Sequence, residues 1–434
     1  MGKLWYILVL LAAVAVTATL VARQFGEKSP APASSADVEA TPAKPPDAVQ
    51  AKTLDPADKV TAQTVALPTN DFGFRLLAEL RKGKTDNVFI SPTSLSMALS
   101  MTCNGAAGAT KDEMAKVLGV DKLTRQALNE GQLALLDYLP DSDPKVQLTI
   151  ANALWLQEGH TFLDDFLARN EQYYRAKVTV TDITGDAGVK QINAWVEDAT
   201  DGMITDLLKS GDLNPLTRLV LTNAVYFNGR WTNEFERINT KDAPFTLEDG
   251  KTQQVPMMSL RRELAYLDTD EVQGLRLPYG EGRMAMYLLL PKRQMRDDIA
   301  LYSMVNWERW LPLFKKKDVQ AFIPRFYTEF TIDLNKYLIA LGMKSAFDMN
   351  NADFTGIDGT HNLYNLYISL VRHITRLQVD EQGTVAAAAT AVDVEATGIP
   401  PDPVVFRADR PFFCTIRDDD TGALLFLGVI NNPE

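Results

Sequence analysis

Cysteine and histidine are nearly missing from this 434-residue chain, which holds two of the first (Cys103, Cys414) and three of the second (His160, His361, His373). Two cysteines cannot build a disulfide framework or a thiolate zinc centre. Three scattered histidines leave little for a triad or a His-based metal site. The HExxH, GxSxG and GxxxxGK[ST] patterns do not occur. The nearest approach to a phosphate loop, Gly105-Ala-Ala-Gly-Ala-Thr-Lys111, has Thr110 where the second glycine belongs. No catalytic residue, metal ligand or cofactor is therefore assigned, and an enzyme is not expected. Positive charge is in deficit too, with 44 Lys+Arg against 56 Asp+Glu and a net charge of −12, which argues against nucleic acid as a partner. What remains is an ordinary globular balance, 46% hydrophobic and 23% charged, able to bury a sizeable core.

Residues 4–22 carry no charge and follow Lys3. As a helix they would span about 28 Å at ~1.5 Å per residue, close to the ~30 Å hydrocarbon core. Segment 1–23 therefore reads as a signal peptide or an uncleaved signal anchor, and the bulk of the chain as extracytoplasmic, secreted or membrane-anchored. Residues 27–60 then hold six prolines, eight alanines and no aromatic residue, so 24–65 is expected to be a disordered tether. The folded unit, 66–434, is expected to open near Asn70, an N-cap for a helix with Phe72, Leu76, Leu77 and Leu80 on one face. It shows no internal repeat or second low-complexity break.

Helical periodicity marks 92–103, 110–118, 189–200 and 334–342. Strand-like runs occupy 146–156, 219–227, 284–290, 366–379, 404–407 and 424–429. Helices gather early and strands late, which predicts an α+β fold. The basic runs Arg261-Arg262 and 315–317 are short and separate, and read as solvated faces.

The segment 381–401, Glu-Gln-Gly-Thr-Val-Ala-Ala-Ala-Ala-Thr-Ala-Val-Asp-Val-Glu-Ala-Thr-Gly-Ile-Pro-Pro, stands apart. From Thr384 alternate positions are small or apolar, the period-two pattern of a strand with one buried face. No proline interrupts 382–399, so every amide can join a ladder. An alanine-rich surface helix is the competing reading. Asp393 and Glu395 alternating with Val392 and Val394, and the stop at Pro400-Pro401, favour the strand.

This segment resembles the reactive-loop hinge of the serpin family. Asn87-Val-Phe-Ile-Ser-Pro-Thr-Ser94, Ile150-Ala-Asn-Ala-Leu-Trp155, Ile192-Asn-Ala-Trp-Val-Glu197, Leu221-Thr-Asn-Ala-Val-Tyr-Phe-Asn-Gly-Arg-Trp231, Leu277-Pro-Tyr279, Ala352-Asp-Phe-Thr-Gly-Ile357 and Ala408-Asp-Arg-Pro-Phe412 match further blocks, in the family's order. The resemblance implies three β-sheets, about nine helices and an exposed reactive loop, and a monomer. It also implies suicide-substrate inhibition of a target serine protease, whose acyl-enzyme is trapped when the cleaved loop inserts into the main sheet. A non-inhibitory binding or carrier serpin is the alternative. On this resemblance the hinge is Glu381, Gln382, Gly383, Thr384, Val385, Ala386, Ala387, Ala388, Ala389 and Thr390. The shutter is Ser91, Ser94, Asn223 and His373, and the breach residue is Trp231. Family spacing puts the reactive bond at Thr397–Gly398, with Ala396, Glu395 and Val394 as alternatives. Small residues there suit an elastase-like or subtilisin-like protease. Val385 and Gln382 depart from the usual hinge, and Ile374 stands where lysine is usual. The chain has no Asn-x-Ser/Thr sequon, in keeping with a bacterial-type member.

Overall fold

The computed structural model describes residues 55–140, 143–213, 215, 217–293, 299–360, 366–384 and 402–434. Its first helix, α1 (Pro56–Arg81), begins well before the expected start. Asp55 caps it by accepting the Ala57 N–H at 2.8 Å, and Pro56 fills the first turn, where a missing N–H costs nothing. The helix therefore occupies the last ten residues, 56–65, of the tether expected over 24–65. Ala62 and Val65, which fall inside that expected tether, are buried and anchor the extension. Asn70 caps nothing. It sits mid-helix, fully buried, donating to the Gly422 carbonyl at 2.8 Å and accepting the Leu424 N–H at 3.0 Å.

Nine α-helices occur among the described residues, and three sheets. Early elements are β1 (Val88–Ile90), α2 (Pro92–Cys103), α3 (Gly108–Leu118), α4 (Arg125–Tyr138), β2 (Val146–Gln157), α5 (Asp164–Tyr174), β3 (Lys177–Thr181), α6 (Gly185–Ala199) and β4 (Leu219–Arg230). Then follow β5 (Lys241–Thr246), β6 (Thr252–Asp268), β7 (Val272–Pro278), β8 (Met284–Pro291), α7 (Met304–Trp310), β9 (Lys315–Pro324), β10 (Phe326–Asp333), α8 (Asn335–Leu341) and α9 (Thr355–Asp358). The chain closes with β11 (Arg372–Val379), β12 (Gly383–Thr384), β13 (Val404–Arg407), β14 (Phe412–Asp418) and β15 (Leu424–Ile430). The run 366–379 is thus a strand only from Arg372.

The largest sheet runs β1-β15-β14-β8-β7-β6-β9-β13, with β5 beside β6. Strands β8 and β15 are buried at every position, as unbroken apolar runs covered on both faces must be. The second sheet runs β12-β4-β2-β3 and the third pairs β10 with β11. Strands β4 and β11 border one gap, lined from both sides by Val225, Tyr226 and Phe227 and by Arg376 and Gln378. No ladder joins them among the described residues. A main core fills the space between the sheets and α1, α2 and α4, and a smaller one lies under α6.

Candidate functional site

The gap between β4 and β11 is the candidate site, and it is closed at both ends by different chemistry. At the upper end β11 leads into a tight turn. The Asp380 carboxylate accepts the N–H groups of Gln382 (2.9 Å) and Gly383 (3.3 Å), and the Asp380 N–H donates to the Gly383 carbonyl at 2.9 Å. The turn throws Gly383 and Thr384 against β4, antiparallel, opposite Arg230 and Gly229. Only glycine fits at Gly383, because a Cβ there would lie 2.1 Å from the Gly229 carbonyl oxygen at a φ of 151°. Thr384 is buried, with its hydroxyl 2.8 Å from that of Tyr279.

Glu381 anchors the turn. Its carboxylate takes an ion pair from Arg325 at 2.5 Å and a hydrogen bond from the Thr240 hydroxyl at 2.7 Å, while the Phe235 N–H donates to its carbonyl at 2.8 Å. Burial pushes this carboxyl up, but the bonds from Arg325 and Thr240 outweigh it and hold the group below its ordinary range. Trp231 stacks on Tyr279 with centroids 4.4 Å apart, and its indole N–H donates to the Asp380 carbonyl at 2.9 Å. Of the expected hinge, Glu381, Gln382, Gly383 and Thr384 meet here beside Trp231. Val385, Ala386, Ala387, Ala388, Ala389, Thr390 and the reactive pair Thr397 and Gly398 lie outside the described residues.

On its buried face the lower end is neutral. His373 of β11 accepts the Ser91 N–H on Nε2 at 3.0 Å, and the Ser91 hydroxyl caps α2 by accepting the Ser94 N–H at 3.2 Å. The Ser94 hydroxyl donates to the Asn223 side-chain oxygen on β4. Ser91, Ser94, Asn223 and His373 therefore form one chain of contacts across the gap. Burial alone pushes the His373 imidazole down to about 3, so it is neutral at physiological pH. The chain continues into residues that sequence reasoning left out. The Asn223 side-chain amide donates to the Asn152 side-chain oxygen on β2 at 2.6 Å, and the Asn152 side-chain amide to the Tyr174 backbone carbonyl at 2.7 Å. The available signal was a lone asparagine inside the apolar run 150–156. Thr240, Tyr279 and Arg325 were also missed, because they converge on the hinge from three distant strand ends.

The two basic runs, separate in sequence, are neighbours in space. Strands β6 and β9 pair with Ala265 opposite Lys316 and Arg262 opposite Val319. Arg261–Asp318 at 2.7 Å and Lys316–Glu263 at 3.4 Å interleave acids among the cations. Burial pushes the Cys103 thiol up to about 11, and Cys414 higher still, so neither is a ready nucleophile. No helix among the described residues is long and apolar enough to cross a membrane, and the run 4–22 lies outside them.

The family model for Serpin (serine protease inhibitor) matches residues 68–433. The chain belongs to the serpin family. An uncharacterized serpin-like protein of Thermococcus kodakarensis is 36% identical over 371 residues, covering 84% of this chain and 85% of its own. The native thermophilic serpin tengpin superposes with a TM-score of 0.77 at 32% identity, covering 88% of this chain and 96% of its own. Human thyroxine-binding globulin, solved in complex with thyroxine, gives a TM-score of 0.77 at 30% identity, over 86% of this serpin and 99% of its own chain. The fold is thus shared by a thyroxine-binding protein within a family described as serine protease inhibitors.

Proposed function

We propose that this serpin is a suicide-substrate inhibitor of extracytoplasmic serine proteases that accept small residues, elastase-like or subtilisin-like. The observation that carries the reading is the flank of β4, unpaired among the described residues below Gly383 and Thr384, which are already laddered onto its upper end. A strand begun there can continue only downward. Extending the antiparallel register puts residue 384 + n opposite 229 − n, so Thr390 comes opposite Asn223 and Val394 opposite Leu219. The inward positions after Thr384 are then Ala386, Ala388, Thr390, Val392 and Val394, small enough to enter a packed sheet.

A protease attacking the bond after Thr397 forms an acyl-enzyme at a point 13 residues beyond Thr384 (397 − 384). Full insertion would carry that point about 43 Å at ~3.3 Å per residue. The attached enzyme is dragged with it, and distortion of its oxyanion hole blocks deacylation. Trypsin-like enzymes lack an attack point, since no Lys or Arg lies between Glu381 and Asp402. The carrier reading fits less well. The two cavities in the gap measure about 10 and 20 Å³, room for roughly one water each and not for a carried ligand. The extracytoplasmic setting rests on the uncharged run 4–22.

A panel of serine proteases tests the proposal by denaturing gel. An SDS-stable adduct is expected with an elastase-type or subtilisin-type enzyme, together with a released peptide that begins at Gly398. A peptide beginning at Ala396 would mean cleavage after Glu395 and a glutamyl-specific target. Complete turnover with no adduct from any protease would contradict inhibition.

A further inference from the structure

Between α6 and β4 the chain crosses the front of the gap as a strap, residues 200–213. It is moored to α6, where the Asn193 side chain exchanges two hydrogen bonds of 2.8 Å with the Leu208 backbone. Its apolar side chains Ile204, Leu207, Leu208 and Leu213 join the smaller core with Trp155 and Ala224, and Ile374 of β11 packs against that core from across the gap. Ile204 lines both gap cavities.

Two arginines tie the strap to the far side. Arg372 and Arg376 stand four residues apart on one face of β11, directly opposite Asp333 and Glu329 of β10 in the ladder. Each guanidinium is held by its acid, Arg372 to Asp333 at 2.8 Å and Arg376 to Glu329 at 3.0 Å. Each then reaches over the gap, Arg372 to the Asp212 carboxylate and Arg376 to the Met203 carbonyl. The strap is thereby fixed at α6 on one bank and at two points on the other.

We infer that Arg372 and Arg376 form a two-point clasp that locks the strap over the gap and sets how fast a strand can enter it. The inference rests on the insertion reading proposed above. A new strand separates its neighbours by one further spacing of about 4.8 Å. A hydrogen bond near 3 Å does not survive such a stretch. Both contacts to the strap must break before β11 moves away from β4, while the bonds to Asp333 and Glu329 travel with β11 unchanged. The clasp therefore opposes insertion without contributing to the inserted state.

The test uses the full chain held just below its unfolding temperature, following the fraction that acquires a higher-melting form. Arg372→Gln/Arg376→Gln is expected to convert about tenfold faster than wild type, and Asp212→Asn, which frees one point without touching β11, about threefold faster. Hydrogen exchange over 200–213 should accelerate in both variants while the unfolding temperature of the unconverted protein stays within a few degrees. Equal conversion rates in folded variants would overturn the clasp. If the wild type never converts, even after loop cleavage, the insertion reading has failed, and the exchange result decides: unchanged protection over 200–213 in the variants overturns the clasp and faster exchange upholds it. If the double variant does not fold, the same two measurements on Asp212→Asn uphold or overturn the clasp alone.

Discussion

The two ends of the gap hold the same pair of strands by opposite means. At the top, a guanidinium and a hydroxyl converge on the Glu381 carboxylate, with Arg325 half in solvent. At the bottom, a neutral imidazole, two serines and two asparagines make a buried network. The charged end can exchange its partners for water as it opens. The neutral end cannot, because each member left unpaired in the interior costs about 1–3 kcal/mol. Under the proposed insertion, the difference predicts an order of events: the top yields first and the bottom only when an incoming strand replaces what it breaks. In the extended register the replacement opposite Asn223 is Thr390, which carries a hydroxyl.

The largest expected effect comes from blocking the top. Thr384→Arg places a guanidinium where a buried hydroxyl now meets Tyr279, and an unpaired buried charge is prohibitive. The variant should be cleaved as a substrate with essentially no covalent adduct on a denaturing gel. An unchanged adduct yield would remove the top of the gap from the mechanism.

Acid should act next, at the bottom. The folded protein holds His373 neutral, with its pKa pushed down to about 3, and accepts a backbone N–H on Nε2. Protonation would set two donors against each other. The unfolded chain takes up this proton near pH 6.5, so the stabilisation is complete above that pH and is lost as pH falls from about 6.5 toward 3. Between pH 7 and 4.5 this amounts to roughly 2–3 kcal/mol, or about 3 °C in melting temperature for a domain of this size. In His373→Asn the slope should flatten, and a slope identical to wild type would assign the acid sensitivity elsewhere.

The smallest effect belongs to the charged end. Glu381→Gln keeps the shape and loses the ion pair to a half-exposed arginine, worth about 1 kcal/mol or less. Conversion to a higher-melting form should quicken only a few-fold at neutral pH. Because the Glu381 pKa is lowered, its contribution is present above the ordinary carboxylate range and fades as pH falls through the depressed value. Wild type should therefore approach the variant's rate only in strong acid. Convergence already at pH 6 would contradict the assignment of this carboxylate.

How much of this was legible in the sequence differs between the same two ends. Strand-like runs located β2, β4 and β15, and helical periodicity located α2, because local pattern and burial agree there. Ser91, Ser94, Asn223 and His373 were identified by family motif, whereas Asn152 was not, although it lies within the motif 150–155. An asparagine in a strand announces burial only once its partner strand is known. Glu381 was read as hinge, but its partners Arg325 and Thr240 are 56 and 141 residues away and carry no local signature. The 17-residue β6 lacks a clean alternation because its long course leaves it buried in some stretches and exposed in others. The clasp was invisible for the same reason: Arg372 and Arg376 look like solvent-facing residues until β10 and the strap are set beside them.

The central claim is that the flank of β4 is built to receive the loop as a strand. Cleaving the full-length protein at Glu395 with a glutamyl-specific protease, with the site verified by mass, frees the loop without requiring a covalent adduct. Thermal unfolding of cleaved and intact protein then tests the claim most directly. Ten new residues laddered along β4 from 385 to 394 should raise the melting temperature by at least about 10 °C. An equal or lower melting temperature after cleavage would contradict it.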